Sequence, residues 1–101
     1  MIVKYSPAVE KYLKKLKDKQ LKLKYKTAVD LITKNYKIGN LKTGDLNGIY
    51  SYDIYHNKTN YELAYTVEII DDEILIFILA GTRENFYDEL KKYLKKTKGT
   101  L

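Results

Sequence analysis

The chain has 101 residues, 45% of them hydrophobic, which is enough for one folded domain with one core and too few for two. It has no cysteine, which excludes disulfide bonds and thiolate metal sites. The longest apolar run, Ile74 to Ala80, is far shorter than the roughly 20 residues of a membrane-spanning helix. We therefore expect a single domain over residues 1–96, a frayed tail over 97–101, a cytoplasmic location and no contact with a membrane.

The net charge of +6 is unevenly distributed. Residues 1–43 carry twelve lysines and three acidic residues, whereas residues 44–90 carry two basic and ten acidic residues. A basic helical surface of this kind can bind nucleic acid or an acidic partner. The alternative is a solvated lysine face, because nearly all the cations are lysines.

The first half of the chain predicts a strand followed by two helices. Ile2 to Tyr5 has the character of a short strand, and Ser6-Pro7 is typical of a helix start. Apolar residues then recur at helical spacing in two successive runs, which predicts a helical hairpin. The first run is Val9, Tyr12, Leu13 and Leu16; the second, ending before Gly39, is Leu21, Tyr25, Ala28, Val29, Ile32 and Tyr36.

The second half predicts three strands and a helix. The strands are Ile49 to Tyr55, Tyr61 to Ile69 and Glu73 to Ala80, and the helix is Arg83 to Lys96. The first turn between strands spans the polar residues from His56 to Asn60, and the second is at Asp71-Asp72. The resulting order, β-α-α-β-β-β-α, predicts an α+β domain with its helices on one face of a four-stranded, mostly antiparallel sheet.

Most catalytic signatures are absent. There is no glycine-rich phosphate loop, and His56 is the only histidine, so a paired-histidine zinc site is excluded. We expect no metal and no cofactor. His56 could act as a general base at neutral pH, or it could be a surface histidine without function. The acidic run Asp71, Asp72 and Glu73 could bind a cation, although a solvated hairpin tip is the simpler interpretation.

The most informative segment runs from Gly81 to Tyr87. It places the only arginine of the chain, Arg83, at the end of an apolar strand, with Tyr87 four residues later at a helix start. An arginine there can bind phosphate through two parallel N–H bonds, and a tyrosine can stack on a base. The alternative is that Arg83 pairs with Glu62 or Glu84 while Tyr87 only packs.

The element order resembles that of RelE/ParE toxins of bacterial type II toxin–antitoxin systems, over Ile2 to Leu94. The segments that carry the resemblance are Ser6-Pro7-Ala8-Val9, Leu46-Asn47-Gly48-Ile49-Tyr50, Asn60-Tyr61-Glu62-Leu63-Ala64-Tyr65 and Gly81-Thr82-Arg83-Glu84-Asn85-Phe86-Tyr87. It implies a toxin that is neutralised by a co-encoded antitoxin, whose C-terminal segment wraps the toxin. It also implies cleavage of mRNA on the ribosome, without a metal, by attack of a ribose 2′-hydroxyl on the adjacent phosphate.

By this resemblance, Arg83 would bind the phosphate and Tyr87 would shape the site. Ribosomal RNA would be bound by lysines of the helical hairpin, namely Lys11, Lys14, Lys15, Lys22 and Lys26.

The chain departs from the family where its nucleases usually carry cations on the middle strands. The matching positions are Asp53, Tyr55 and Glu62. Some relatives use a strand carboxylate as base and a histidine as acid, which would pair Asp53 or Glu62 with His56. Two further hypotheses therefore stay open: a ParE-like inhibitor of DNA gyrase that cleaves nothing, and a member that only binds its antitoxin.

Overall fold

A computed structural model describes residues 2–69 and 73–97, with the backbone alone at Thr97. The predicted turn at Asp71-Asp72 lies outside the described residues, as does the predicted tail beyond Thr97; of the acidic run only Glu73 is described, as the first residue of a strand. The elements are β1 (Ile2–Tyr5), α1 (Pro7–Lys15), α2 (Lys19–Lys34), β2 (Asn40–Leu41), β3 (Tyr50–His56), β4 (Thr59–Ile69), β5 (Glu73–Thr82) and α3 (Phe86–Thr97), with short 3-10 turns at Tyr36–Ile38 and Gly44–Leu46.

Within the described residues, five strands form one sheet in the order β1-β5-β4-β3-β2. The prediction of four strands was wrong, because β2 has only two residues and so shows no alternation from which a strand could be predicted. The β2–β3, β3–β4 and β4–β5 pairs are antiparallel, and β1 pairs parallel with β5. The α+β class and the mostly antiparallel sheet are confirmed.

The helices lie on both faces of the sheet, so the prediction of a single covered face was wrong. Helices α1 and α2 pack on what we call the hairpin face, which presents Ile54, Leu63, Tyr65, Leu75 and Phe77. Helix α3 packs on the opposite face, the α3 face, which presents Ala64 and Ile78 to Phe86 and Leu90. The physical reason is in β5, whose side chains are apolar on both sides and therefore need two covers.

Ser6 joins the start of α1 to the middle of β5. Its hydroxyl oxygen accepts a hydrogen bond from Val9 N–H at 3.1 Å, which caps the helix, and it donates to the Ile78 carbonyl at 2.6 Å. Ile78 is the extra residue of a β-bulge, because Ala64 pairs with Leu79 while Tyr65 pairs with Phe77. The predicted cap at Ser6-Pro7 is confirmed.

The turn between β3 and β4 is tighter than the predicted polar segment. Asn57 and Lys58 both adopt left-handed backbone conformations, with φ of 48° and 62°, which suits a two-residue hairpin. His56 is therefore the last residue of β3 and is buried. The interpretation of His56 as a surface histidine was wrong.

Gly39 is required by its contact with Tyr65. A side chain at this glycine would bring its Cβ into a clash with the Tyr65 hydroxyl oxygen. That oxygen accepts a hydrogen bond from Gly39 N–H at 3.0 Å and donates to the Tyr36 carbonyl at 2.6 Å. The contact holds the segment between α2 and β2 against the sheet.

Candidate functional site

The candidate site lies on the α3 face and is centred on Glu62, whose side chain is fully buried. Arg83 Nε lies 3.4 Å from Glu62 Oε1, and the Tyr87 hydroxyl donates to the same oxygen at 3.3 Å. The Arg83 backbone N–H donates to the Asn60 carbonyl at 2.8 Å, which fixes the position of the arginine at the end of β5. The sequence-based alternative that pairs Arg83 with Glu62 is thus what the structure shows.

A second carboxyl neighbours Glu62. Asp53 on β3 is the direct cross-strand partner of Glu62 on β4 and is exposed. Burial, and then the Asp53 carboxyl, raise the pKa of Glu62 to about 7, against the smaller lowering effects of Arg83 and Tyr87. Glu62 therefore exchanges a proton near neutral pH, where an acid or base catalyst is most effective.

One oxygen of the buried carboxyl is left without a partner. Glu62 Oε2 has no hydrogen-bond partner within the described part of the chain. Two ionised carboxylates both accept, so Asp53 and Glu62 can share a hydrogen bond only when one of them holds a proton. Such an underbonded buried group is costly to stability and is typical of functional sites.

Three residues that the sequence analysis missed belong to the site. Ser51 Oγ lies 3.4 Å from the Tyr87 hydroxyl oxygen, and Lys42 Nζ lies 4.9 Å from the centre of the Tyr87 ring. From the hairpin face, the Tyr25 hydroxyl lies 3.4 Å from the Glu62 carbonyl oxygen and 3.5 Å from that of Gly81. These contacts join residues far apart in the sequence, so no local pattern indicates them.

The structure does not bring His56 to this site. Its Nε2 lies 2.8 Å from Asp18 Oδ2, at the start of α2. Asp18 also caps that helix, because its Oδ1 accepts hydrogen bonds from the N–H groups of Gln20 and Leu21, each at 3.1 Å. His56 is two residues after Ile54 on β3, so its side chain lies on the hairpin face. The side chains of Asp53 and Glu62 lie on the α3 face. The hypothetical pairing of His56 with either carboxylate is therefore contradicted.

The five predicted RNA-binding lysines also lie away from Arg83 and Tyr87. All five are exposed, on α1 or α2, and these helices cover the hairpin face. The sheet thus separates them from the α3 face. They remain predicted RNA contacts, but they lie on a different surface of the protein from Glu62.

The chemistry of the site follows from these contacts. Arg83, whose side chain is 55% exposed, can leave Glu62 and donate two parallel N–H bonds to a phosphate. Its departure would leave the carboxyl pair free to accept a proton. No cluster of three potential metal ligands occurs among the residues described, and no helix there is long and apolar enough to cross a membrane.

The fold is similar to solved structures of an E. coli toxin. A double arginine-to-alanine mutant of E. coli RelE in the free state has a TM-score of 0.72 at 16% identity, with 96% of each chain covered. Isolated E. coli RelE has a TM-score of 0.61 at 20% identity, covering 92% of this chain and 97% of that chain. A chain of the intact E. coli RelBE toxin–antitoxin complex has a TM-score of 0.60 at 18% identity, covering 79% and 93%.

At these identities the structural likeness shows the RelE-like fold. No curated protein matches the sequence. A family model described as the ParE-like toxin of type II bacterial toxin–antitoxin systems matches residues 3–91. The predicted resemblance to RelE/ParE toxins is thereby confirmed. Because this match spans most of the chain, the chain belongs to the ParE-like toxin family of type II bacterial toxin–antitoxin systems.

Proposed function

We propose that this toxin is a metal-independent endoribonuclease that cuts mRNA on the ribosome and so inhibits translation. The observation that carries the proposal is the carboxyl pair of Asp53 and Glu62 beside Arg83. A proton acceptor that titrates near neutral pH and a cation that can bind phosphate are the two groups this cleavage needs.

In the proposed reaction the ribose 2′-oxygen forms a bond to the adjacent phosphorus, and the bond from phosphorus to the 5′-oxygen breaks. Asp53, the exposed member of the pair, accepts the proton of the 2′-hydroxyl and passes it to Glu62, whose pKa is raised to about 7. The leaving 5′-oxygen takes up a proton from the pair or from water. Arg83 stabilises the negative charge that develops on the phosphate. The products are a 2′,3′-cyclic phosphate and a 5′-hydroxyl.

Primer extension on mRNA from cells expressing the toxin tests this proposal. Wild type should create new 5′ ends in translated reading frames, and Arg83→Ala should lower their yield by about 100-fold or more. Lys91→Ala is the matched control, because Lys91 on α3 pairs with Asp45 at 3.8 Å and lies outside the carboxyl site. Unchanged ends with Arg83→Ala, or no new ends with wild type, would refute the proposal. Cleavage of the same mRNA without ribosomes would refute ribosome dependence alone.

A second candidate function is inhibition of DNA gyrase without any cleavage. Two observations favour it: the family model is ParE-like, and the charge of Arg83 is already compensated by Glu62. A gyrase inhibitor would block DNA supercoiling by purified gyrase while leaving translation intact. The endoribonuclease would do the reverse. Expression that arrests neither process would instead favour a member that only binds its antitoxin.

We also propose where a cognate antitoxin binds, since the fold is shared with a chain of the E. coli RelBE toxin–antitoxin complex. A groove of about 480 Å³ on the helical hairpin is floored by apolar side chains, and Leu23 at its side is 62% exposed. Lysines line the same groove, which favours an acidic amphipathic segment as its occupant. The lining residues are Tyr5, Leu13, Lys19, Lys22, Leu23, Lys26, Val29 and Asp30.

Antitoxin affinity measured by calorimetry tests this surface. Leu23→Asp should weaken binding by about 10-fold or more, because it places a charge on an apolar contact and repels an acidic segment. Leu41→Asp is the control, since Leu41 is also exposed, at 56%, but lies on β2. Equal affinities for wild type and Leu23→Asp would exclude the groove.

A further inference from the structure

We propose that Lys42 is a nucleic-acid-binding residue of the α3 face, which holds a backbone phosphate of single-stranded RNA beside Tyr87. This inference rests on the proposed endoribonuclease function and deepens it. It adds a second phosphate contact, at a residue other than Asp53, Tyr55 and Glu62, the strand positions at which the family resemblance predicts cations.

The backbone fixes Lys42 beside the site. It directly follows β2, which pairs with β3, and its N–H donates to the Ile49 carbonyl at 2.8 Å. Its half-buried side chain crosses towards α3 and brings Nζ to 4.9 Å from the Tyr87 ring centre. The short strand β2 therefore positions a lysine beside the α3 face, on which strands β3 and β4 carry Asp53 and Glu62.

The charge of Lys42 is available for a ligand. Arg83 is paired with Glu62, and Lys91 is paired with Asp45. Within residues 2–69 and 73–97, Lys42 forms no ion pair, and its ammonium contacts the face of an aromatic ring. A charge-assisted hydrogen bond to phosphate is stronger than that contact, so a phosphate can draw the ammonium away from the ring.

Tyr87 links Lys42 to the carboxyl site. The Lys42 ammonium lies over the ring of Tyr87, and the Tyr87 hydroxyl donates to Glu62 Oε1 at 3.3 Å, next to Arg83. Once phosphate draws Lys42 off the ring, the half-buried tyrosine face is open to a base, and stacking on such a ring binds bases of any sequence. Lys42 and Tyr87 then bind one nucleotide while Arg83 and the carboxyl pair face the scissile phosphate.

Fluorescence anisotropy with a single-stranded RNA whose riboses are all 2′-O-methylated tests this inference, because such RNA can bind but cannot be cut by 2′-hydroxyl attack. Lys42→Ala should raise Kd about 5- to 10-fold at low salt and reduce the slope of log K against log salt by about 0.7. Lys42→Arg keeps the charge and should bind like wild type. Lys42→Gln, which retains most of the side chain, should match Lys42→Ala.

The matched control is Lys37→Ala. Lys37 Nζ also lies over a tyrosine ring, 6.0 Å from the centre of Tyr36, but that ring belongs to the helical-hairpin side. Its removal should change neither Kd nor the salt slope. Circular dichroism melts of each variant would show that the compared proteins are folded.

The outcomes separate this inference from the proposed function. Equal Kd and slope for wild type, Lys42→Ala and Lys42→Gln would overturn it, as would wild type that does not bind the RNA at low salt. Weaker binding by both variants, together with no cleavage of translated mRNA by wild type, would support Lys42 and refute the nuclease. Cleavage by wild type with unchanged binding by the variants would refute Lys42 alone.

Discussion

The two faces of the sheet each carry a buried polar side chain, and the two are bonded differently. On the hairpin face, His56 lies 2.8 Å from Asp18, which also caps α2 with its other oxygen. On the α3 face, Glu62 is fully buried beside the like-charged Asp53, its contact with Arg83 is longer at 3.4 Å, and one oxygen has no partner among the residues described. The first arrangement stabilises the fold by joining β3 to the start of α2. The second leaves the buried carboxyl of Glu62 able to react.

The two phenylalanines of the chain offer the largest test of this contrast, because one lies on each face. Phe77, fully buried, contacts Tyr5 and Tyr65 at ring distances of 5.4 and 5.9 Å. Phe86 is 1% exposed and contacts Tyr87 at 5.7 Å. Each change to alanine should cost about 3–5 kcal/mol of unfolding free energy.

The location of the loss should differ. Phe77→Ala should weaken the whole domain, whereas Phe86→Ala should release α3 first, since Phe86 is the first residue of that helix. Urea denaturation gives the totals, and native-state hydrogen exchange gives the locations. Uniform loss of protection in both variants would show that the two faces unfold as one unit.

The next effect comes from Glu62→Gln. The folded-state pKa of Glu62 is raised from about 4.5 to about 7, so the folded state binds more protons between these values. Wild type should therefore lose stability as pH rises from about 4.5 to 7, by at most about 3 kcal/mol, and stay constant above. The glutamine variant should lack this loss and exceed wild type at about pH 8. Parallel stability curves for the two proteins would contradict the assignment.

The smallest effect should come from Asp18→Asn, on the face with the satisfied pair. Hydrogen bonding from Leu21 N–H, and then from His56, lowers the pKa of Asp18 below its ordinary value. Its ionised form thus stabilises the fold at pH values above its unfolded pKa, and that stabilisation is lost as pH falls through the lower folded pKa. Thermal melts should show a modest drop in Tm near neutral pH that vanishes in strong acid. A drop that persists in acid would point to lost packing instead.

Most of the fold was predictable from local patterns. The Ser6-Pro7 helix start and the apolar run of β5 are confirmed by the structure. Two features were not predictable. Strand β2 is too short to show alternation. The apolar stripe of α3 shows which side of the helix is buried, but it does not show which face of the sheet the helix packs on. Distinguishing the two faces requires tertiary contacts.

The site was predictable in part, because strand alternation places Glu62 on one side of β4 and the ends of strand and helix place Arg83 and Tyr87 nearby. Lys42 and Ser51 could not be found, since they reach Tyr87 only through pairing of β2, β3 and β4. His56 was misplaced because a polar sequence around a two-residue turn also suits a longer loop.

The bulge at Ile78 makes the length of β5 matter more than its composition. Side chains before it follow one alternation and those after it follow the other, so Leu79 and Gly81 share the face of Ala64 and Glu62. Swapping one aliphatic residue for another in β5 would leave that phase intact. Inserting one residue between the bulge and Arg83 would invert it, turning the groups beyond the insertion towards the helical hairpin and separating Arg83 from Glu62. Loss of Ile78 itself would keep it, because Phe77 and Leu79 already lie on opposite faces and would then pair without a bulge. Homologous chains that share this site should therefore vary in the residue types between the bulge and Arg83 while keeping their number.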